Sequence, residues 1–540
     1  MDRDQPNQAN KATLWKVFGI ILYFFTLCVF FVGIIYFIWS LVLIINQTQP
    51  TTIAQTVLNI LSLLVEALGI FYTVMLFKHM GTTSFHPPHV SEDEELHLDD
   101  FPLVSILIPI HKPEPKILGS TLDSITKANY PQEKIQIILG DDTESTFPSL
   151  PVIREMANNY SAEYVYDTTN LQFKAGMLNI MLKSAKADFI VFLDYDHKIT
   201  RNFLNKSIAI LTEYKDIAFV QSKVGFYNIK SKLQIWEAVM YAQFFEVFER
   251  SKNRRSTVLF NGSTACFRKK IIEEIGGIPT ATFTEDIDLS VQILSKGYKS
   301  KLLDDYGSFG LIPSSFSLLL SQILRWAKGS MHTLKLRWKK ILTGKMSPFD
   351  KVDLYFSTLL FFIASSMYLT IMFYVIMYFT DSRAIRLPIQ QFPPLIIMPV
   401  ALAIAYQISG LIAVLFTRRS KIIEMNMLDL ILFFIIALAL NPFTVYAVVR
   451  TIFRFRPPMR DKDEWNEKVP FITLSLIISL LGIGITTLAY FDFISGKTLW
   501  VVLGLLGLSL IATFPVCMYL HLTTRHNKPY FINDINYITE

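Results

Sequence analysis

Two carboxylates one residue apart follow a short apolar run over residues 189–193. The run Phe-Ile-Val-Phe-Leu leads into Asp194-Tyr-Asp-His197. Because alternate side chains of an extended chain point to the same side, Asp194 and Asp196 would lie together at the end of a strand. Two such acids suit Mg²⁺ or Mn²⁺, since these cations are commonly held by one or two carboxylates together with substrate phosphates. An isolated Asp-x-Asp is more often a solvated turn, so this interpretation depends on what else the chain supplies.

A second pair of acids, Asp141 and Asp142, follows another apolar run at residues 135–139. If both runs are parallel strands, their carboxyl ends meet at the edge of the sheet where ligands bind. The pair would then hold a ribose or a base, although adjacent acids are also a common turn signal. Lys174 opens a predicted helix, whose N-terminal amides favour an anion such as a nucleotide diphosphate.

The tripeptide Thr284-Glu-Asp286 stands immediately before a predicted helix over residues 287–296. Helix capping accounts for it most simply, with Thr284 as the N-cap and Glu285 and Asp286 as acids of the first turn. The functional interpretation makes Asp286 a general base that removes a proton from an attacking hydroxyl.

Gln322, Arg325 and Trp326 form the pattern Gln-x-x-Arg-Trp within an amphipathic segment. Its apolar residues recur at spacings of three, four and eight, which predicts a helix or a helix pair at the membrane surface, with a break near Gly329. Trp326 is either an interfacial anchor or a flat surface on which a sugar stacks, and Arg325 would pair with phosphate.

The elements that must position these residues alternate between strand and helix. We predict strands over 104–110, 135–139, 164–166 and 189–193, and helices over 117–128 and 173–184. Such alternation is typical of βαβ units and predicts a mostly parallel sheet.

The composition indicates a membrane protein, because 51% of the 540 residues are hydrophobic and the excess lies towards the two ends. A membrane span needs about 20 apolar residues. The stretches that qualify are 14–45, 53–77, 354–379, 393–416, 471–491 and 499–520, with 428–449 doubtful. Between the two groups, residues 78–351 have ordinary soluble composition and suffice for one large α/β core.

Positive charges beside the apolar stretches predict which ends face the cytoplasm. Basic residues occur in 418–421 and 450–468, whereas the turn 46–52 carries no charge. Both flanks of the doubtful segment 428–449 are therefore basic, and Asn441-Pro442 interrupts it, so we expect a re-entrant or interfacial helix pair there. About six spans remain, with the globular domain and both termini in the cytoplasm.

The three cysteines, Cys28, Cys266 and Cys517, are scattered and have no metal-ligand spacing. They form no disulfide framework, which fits a reducing compartment for the globular part. Nothing in the sequence predicts a nucleic-acid partner, and protein partners stay unknown at this stage.

Together the motifs resemble those of the membrane-integrated, processive family 2 glycosyltransferases of the cellulose synthase and hyaluronan synthase type. Each is weak alone, but six in the family's order are specific. They cover residues 104–326: Asp141-Asp142, Lys174-Ala-Gly-Met-Leu-Asn179, Asp194-Tyr-Asp-His197, Phe260-Asn-Gly-Ser263, Thr284-Glu-Asp286 and Gln322-Ile-Leu-Arg-Trp326. The Thr-Glu-Asp stretch is somewhat more similar to mannan or glucomannan synthases than to cellulose synthases.

The resemblance implies a role for each matching residue. Asp286, with Glu285 beside it, looks like the catalytic base, and Asp194 with Asp196 looks like the site for Mg²⁺ or Mn²⁺. The implied nucleotide-sugar contacts are Asp141, Asp142, Lys174, Asp194, Gln322 and Arg325. The implied acceptor contacts are Trp326 and the entrance residues Asn261, Gly262 and Ser263.

The implied architecture is an α/β GT-A (Rossmann-like) cytoplasmic domain joined to an α-helical transmembrane bundle of about six spans with interfacial helices. We expect five parts: an N-terminal tail with two spans (1–80), the GT-A domain (81–315), interfacial helices with Gln-x-x-Arg-Trp (316–350), a channel region (351–521) and a cytoplasmic tail (522–540). The family's gating loop has its counterpart at 450–469, which carries Trp465 and Lys468 but lacks the family's Thr.

The implied function is processive, inverting transfer of a hexose from a UDP- or GDP-sugar to a β-linked polysaccharide, which leaves through the protein's own channel in the cell membrane. One alternative is single transfers to a lipid-linked acceptor. Another, from a different class, is a non-catalytic transporter or scaffold that kept the fold. The motifs do not identify the donor sugar, because pocket shape decides it.

Overall fold

The computed structural model describes residues 5–46, 52–85, 100–169, 173–364, 408–417, 427–453, 471–494 and 500–524, with the isolated residues 98, 369, 373 and 376. Three predictions lie wholly or partly outside these residues: the gating-like loop from residue 454 onward, the tail beyond residue 524, and much of the spans 354–379 and 393–416.

An eight-stranded mixed sheet forms the centre of the globular domain. Its spatial order is β3-β2-β1-β4-β7-β6-β8-β5. The strands are Val104–Ile110 (β1), Ile135–Asp141 (β2), Glu163–Tyr166 (β3), Phe189–Phe192 (β4), Lys198–Ile199 (β5), Ile217–Phe226 (β6), Ala265–Arg268 (β7) and Lys299–Gly310 (β8). All four predicted strands are present, since Ile, Val and Phe pack well on a pleated, buried surface.

Four of the seven neighbouring strand pairs are parallel, so the sheet is mostly parallel as expected, with antiparallel pairing only where β7 or β5 takes part. β3, β2, β1 and β4 pair in parallel, and so do β6 and β8. β7 runs antiparallel to both β4 and β6, and β5 runs antiparallel to β8. The expectation came from the four strands before residue 193, where helices connect parallel neighbours. A strand that reverses direction, as β7 does, needs no such connection.

Helices cover both faces of the sheet and bury one apolar core on each. On one face lie α3 (Pro115–Thr126), α4 (Leu150–Asn159) and α6 (Phe203–Glu213). On the other lie α5 (Phe173–Ser184), α9 (Lys269–Glu274) and α10 (Glu285–Ser295). Each fully buried Leu, Ile or Phe in these cores contributes about 1.5–3 kcal/mol, so the strand ends that carry the candidate site are held rigidly.

Between β6 and β7 the chain forms a continuous helical segment that changes its pitch. It consists of α7 (Lys232–Gln243), a π-helix (Phe244–Glu249) and α8 (Arg250–Asn253). A capping box starts α7, because Ser231 accepts from the backbone of Gln234, whose side chain bonds back to the cap. π-helical turns are rare and occur frequently at functional sites.

α11 (Phe316–Thr343) is one unbroken helix of 28 residues, so the predicted break near Gly329 is wrong. Gly329 is buried against the N-terminus of α10 instead of ending a helix. Further along, Arg337 donates to both carboxylate oxygens of the fully buried Asp288 at 2.8 and 3.1 Å. The glycine and this ion pair together fix α11 on α10.

The remaining helices are apolar, and four described segments are long and apolar enough to cross a membrane: Thr13–Val42, Ile53–Phe85, Ile431–Phe453 and Ile472–Tyr490. The described apolar helices are α1 (Gln5–Ile45), α2 (Ile53–Phe85), α12 (Pro348–Ala364), α13 (Ile408–Thr417), α14 (Met427–Phe453), α15 (Phe471–Ile494) and α16 (Trp500–Thr524). The four long segments lie in α1, α2, α14 and α15. α1 exposes many large apolar side chains, which suits contact with lipid.

The helix pair expected at 428–449 is wrong, because α14 continues through Pro442 without a break. A proline removes one hydrogen bond from a helix, and such a loss is tolerated where neighbouring helices and hydroxyl side chains support the backbone. Here Phe443 is fully buried, and Thr444 Oγ1 donates to the Asn441 carbonyl at 2.7 Å. The number of crossings and their orientation stay predictions.

Candidate active site

Asp194 lies directly after β4, at the carboxyl end of the parallel half of the sheet. Lys174, from the first turn of α5, places its Nζ 2.5 Å from Asp194 Oδ1 and donates to the Gly262 carbonyl at 2.8 Å. Burial opposes ionisation of both groups, but their attraction outweighs it. The pKa of Asp194 is therefore lowered by Lys174, and the pKa of Lys174 is raised by Asp194 and Glu285. Lys174 therefore contributes a positive charge to the candidate active site and is not simply a surface lysine.

Asp194, Asp196 and His197 form a group whose ligand atoms lie within 4.8 Å of one another. His197 Nδ1 is 3.1 Å from Ser308 Oγ, and its Nε2 is 4.0 Å from Asp196 Oδ1. The ring is only 12% exposed, so His197 is not an exposed loop histidine. Burial raises the pKa of Asp196, against the opposing charge of His197. Carboxylate oxygens with an imidazole nitrogen are donors that suit Mg²⁺ or Mn²⁺, so the residues present fit such a cation.

Asp141 and Asp142 end β2 but occupy different environments. Asp141 is fully buried, and it accepts hydrogen bonds from the Thr143 amide at 2.8 Å and the Tyr164 hydroxyl at 2.6 Å. Asp142 is 13% exposed, and its Oδ1 lies 2.8 Å from His111 Nδ1. Asp141 therefore stabilises the edge of the sheet through its hydrogen bonds, whereas the Asp142 side chain is the more accessible of the two. His111 was not predicted from the sequence.

Asp286 lies in the first turn of α10 and next to Glu285. Thr284 stands at the N-cap position, but its side chain makes no capping hydrogen bond. Poor hydration and the charge of Glu285 raise the pKa of Asp286 to about 7. A carboxyl group with this pKa is suited to act as a general base at neutral pH. Glu285 Oε1 lies 3.9 Å from Lys174 Nζ.

Gly262 is the point at which three motifs meet. A Cβ at this position would lie 3.2 Å from Asp286 Oδ2 and 4.0 Å from Lys174 Nζ, and the residue has a φ of +83°. Both the close approach and the left-handed backbone favour glycine. The neighbouring Ser263 accepts from the Asp194 amide at 2.9 Å, and the Asn261 amide donates to Gln221 at 2.9 Å. The predicted entrance residues therefore join the Asp194 strand end to the Asp286 helix.

The Gln-x-x-Arg-Trp residues come to the same region from α11. Gln322 Nε2 donates to the Tyr241 hydroxyl at 3.2 Å, and the rings of Trp326 and Tyr241 pack edge to face with centroids 5.7 Å apart. The positive charge of Arg325 favours the ionised forms of Asp194 and Asp286. The Arg325 guanidinium therefore lies near both carboxylates. Trp326 is thus oriented by packing on α7 and is not only a membrane anchor.

A central cavity of about 290 Å³ begins at Asp286 and Trp326 and continues between the apolar helices. The π-helix, α2, α12 and α14 all contribute to its wall, which is mostly aromatic and aliphatic. Its lining includes Tyr72, Trp236, Phe248, Glu249, Asn261, Phe356, Asn441 and Thr444. Aromatic side chains with a few polar groups are typical of sites that bind a ligand in a fixed orientation.

The sequence analysis missed Tyr241 and Glu249, which both line this cavity. Neither belongs to a motif. The only signal for Glu249 is that it is one of two acids, with Glu246, in the aromatic-rich run that forms the π-helix. Tyr241 has no sequence signal of its own, because its importance depends on contact with Trp326 from a distant part of the chain.

Comparison with known families supports the resemblance of the globular domain to family 2 glycosyltransferases. The family model for the glycosyl transferase family group 2 matches residues 189–416. The catalytic subunit of cellulose synthase 1 (UDP-forming) from Komagataeibacter xylinus is 30% identical over 245 residues, which are 44% of this chain and 32% of that protein. The UDP-forming cellulose synthase catalytic subunit from Komagataeibacter sucrofermentans is 25% identical over 313 residues, 56% and 40% of the two chains. The match therefore spans less than half the length of either relative.

Among solved structures, a mannosyltransferase from Pyrobaculum calidifontis in complex with GDP-Man and Mn²⁺ superposes with a TM-score of 0.51. It is 16% identical in sequence, and the alignment covers 74% of this chain and all of that one. At this level of identity the likeness concerns the fold alone. The predicted GT-A domain and the resemblance to family 2 glycosyltransferases are confirmed.

Proposed function

We propose that this chain, whose residues 189–416 match the glycosyl transferase family group 2 and whose globular domain has a GT-A fold, extends a β-linked polysaccharide by transferring a hexose from a UDP- or GDP-sugar. One observation carries the proposal most directly. Lys174 and Asp286 flank Gly262 at the mouth of a cavity that Trp326 lines. The Lys174 ammonium, which would bind the departing diphosphate, therefore lies close to Asp286, which would act as the base for the acceptor hydroxyl.

The nucleotide sugar would bind along the carboxyl edge of the parallel strands. Asp142 is the acid placed to contact the nucleoside, at the end of β2. Lys174 and Arg325 supply positive charge where the diphosphate would lie, and Gln322 supplies an amide beside them. On arrival of the diphosphate, Lys174 would exchange its bond to Asp194 for one to phosphate, because charge-assisted bonds to phosphate are of comparable strength.

Asp286 would remove the proton from the acceptor hydroxyl as that oxygen attacks the anomeric carbon. The bond from the anomeric carbon to the diphosphate oxygen breaks in the same step, so the configuration inverts. General-base catalysis of this kind contributes about 10²–10⁴-fold in rate. Trp326 would hold the acceptor sugar by stacking, which places its hydroxyl near the base. Holding the two reactants in this geometry adds a further entropic advantage.

Asp194 and Asp196, with His197 beside them, would hold Mg²⁺ or Mn²⁺. When bound, the cation would supply positive charge that stabilises the departing diphosphate. Lys174 and Arg325 would add positive charge to the same group. The proposal of a divalent cation is supported by the donor set and by the metal in the fold neighbour.

The central cavity would receive the growing chain and lead it into the membrane region. Its wall combines residues of the catalytic domain with residues of α2, α12 and α14. This continuity supports a protein that both synthesises and exports its product. The basic residues beside the apolar stretches support a cytoplasmic position of the catalytic domain. Single transfers to a lipid-linked acceptor remain the alternative, which product length distinguishes.

A panel of nucleotide sugars tests the proposal. The purified full chain, in lipid nanodiscs with Mg²⁺ or Mn²⁺, is given each UDP- and GDP-hexose, and release of UDP or GDP is measured. We expect release with one donor, together with a polymer on a size-resolving gel. A single-sugar product would favour the lipid-linked alternative, and no release from any donor would contradict transferase activity.

A further inference from the structure

Glu249 is a buried acid in the wall of the central cavity, and the proposed reaction gives it no role. It ends the π-helix Phe244–Glu249 and is fully buried. Its Oε2 accepts a hydrogen bond from the Leu259 amide at 2.7 Å. Its Oε1 has no hydrogen-bond partner among the residues that the structure describes. One oxygen thus has a structural role, whereas the other is unsatisfied in a residue that lines the central cavity.

A buried polar atom without a partner costs stability, about 1–3 kcal/mol, so it usually indicates a ligand, a water molecule or a protonated state. Lys252 does not neutralise Glu249, because its Nζ pairs with the buried Asp353. Burial raises the pKa of Glu249 to about 8, against the opposing charge of Lys252. At neutral pH most Glu249 side chains therefore carry a proton and have an O–H group to donate.

Two consecutive backbone amides, those of Leu259 and Phe260, link Glu249 to the helix that carries Asp286. The Leu259 amide donates to Glu249, the next amide, Phe260, donates to Ser290 Oγ at 2.8 Å, and Ser290 Oγ donates to the Asp286 carbonyl at 2.8 Å. The carboxyl group is therefore held at a fixed position relative to the site of transfer. Aromatic residues lie around it in the cavity wall, including Trp236, Phe248 and Phe356.

We propose that Glu249 hydrogen-bonds a hydroxyl group of the acceptor glycan inside the central cavity and thereby determines which acceptor binds. The inference rests on the proposed function, because it takes a glycan as the occupant of the cavity. Sugar rings stack on aromatic walls with little preference for orientation, and a fixed polar group selects one orientation and one pattern of hydroxyls. Glu249 is a positioning residue and takes no part in bond making.

Glu237 provides a matched control within the same helical segment. It is also fully buried, and neither of its carboxylate oxygens has a hydrogen-bond partner among the described residues. It differs in two respects, since it does not line the central cavity and, unlike Glu249, accepts no backbone hydrogen bond from the described residues. A general effect of removing a buried acid would appear in both positions, whereas loss of a glycan contact would appear only at Glu249.

The test measures binding of a β-1,4-linked hexasaccharide, in glucan and mannan forms, to the full chain in lipid nanodiscs without donor sugar. We expect E249M to bind the hexasaccharide about tenfold more weakly, the loss of one good hydrogen bond. E237M should bind it as the wild type does. Nucleotide affinity should stay unchanged in both variants, which shows that they are folded. Equal hexasaccharide affinity of E249M and wild type would overturn the inference and leave a buried water as the partner of Oε1.

Infrared difference spectroscopy provides a second measurement that does not depend on the folding of E249M. Adding the hexasaccharide to wild-type protein should shift a C=O stretching band of a protonated carboxyl. The shift should be absent in E249Q and present in E237Q. A spectrum without any such shift in the wild type would contradict the contact.

These results separate the inference from the proposed function. Binding that depends on Glu249 in a protein that transfers no sugar would overturn the transferase proposal and keep the glycan site. Transfer by the wild type with an unchanged acceptor KM in E249M would overturn the inference alone. Wild-type protein that binds neither hexasaccharide would overturn the inference as well.

Discussion

Gly329 of α11 packs directly on Thr284, the residue that precedes α10. A Cβ at position 329 would lie 2.4 Å from Thr284 Cγ2, 2.6 Å from Oγ1 and 2.9 Å from Cβ. This contact is what brings Trp326, one helical turn before the glycine, close to Asp286, two residues after the threonine. The absence of one side chain therefore sets the distance between the proposed acceptor platform and the proposed base.

Gly329→Ala should lower the rate of transfer by an order of magnitude or more without preventing nucleotide binding. The added methyl group meets Thr284, which is buried and has little room to move, so α11 must shift away from α10. A displacement of about 1 Å can cost about 10²-fold in rate. Gly484→Ala is the control, because a Cβ there meets nothing within 4 Å. Equal activity of G329A and G484A would show that the spacing is unimportant.

The pH dependence of transfer should report Asp286. The group acts as a base only when ionised, and its pKa is raised to about 7 by poor hydration and by Glu285. The value of kcat/KM should therefore fall as the pH drops through about 7 and level off above it. Glu285→Gln removes one of the two causes, so the inflection should move to lower pH. An inflection that stays in place would exclude the influence of Glu285.

Asp196→Asn should weaken the dependence of nucleotide binding on a divalent cation. The amide oxygen is a weaker ligand than a carboxylate, so adding Mn²⁺ should raise nucleotide affinity much less in the variant than in the wild type. Calorimetric titration with UDP and GDP, with and without EDTA, measures this. If wild-type protein binds nucleotide equally well with and without EDTA, the assignment of a cation site to these residues is wrong.

Arg337→Ala should destabilise the contact between α10 and α11. Among the residues that the structure describes, the substitution leaves the fully buried Asp288 carboxylate with one side-chain partner, the Gln292 amide at 3.2 Å. Breaking such a pair leaves an uncompensated charge and costs about 3 kcal/mol. The thermal midpoint in nanodiscs should therefore fall by several degrees. Lys339→Ala, at an exposed position of the same helix, should leave the midpoint within experimental error.

The strands and the candidate site follow from local sequence to a large extent. Ile, Val and Phe at alternate or consecutive positions predict β1, β2 and β4, and the acids at the ends of β2 and β4 mark the functional edge. Lys174, Asp194 and Asp286 lie together as the motifs indicate, although no motif predicts that Gly262 is the point between them.

The failures share a physical cause, since each depends on a contact with a distant part of the chain. Gly329 and Pro442 are helix breakers by local propensity, but packing against neighbouring elements keeps both helices continuous. Glu249 lies in no motif, and only the folded structure shows that it lines the cavity and that its Oε1 has no partner among the described residues.

The most direct test of the account is Asp286→Asn in the purified full chain. The asparagine fits the same space but accepts no proton, so it should abolish transfer while nucleotide affinity stays within about threefold of the wild type. Transfer is measured as release of UDP or GDP in the presence of acceptor, and affinity by calorimetric titration. The account predicts a folded protein that binds nucleotide and forms no polymer. Unchanged turnover by D286N would contradict it.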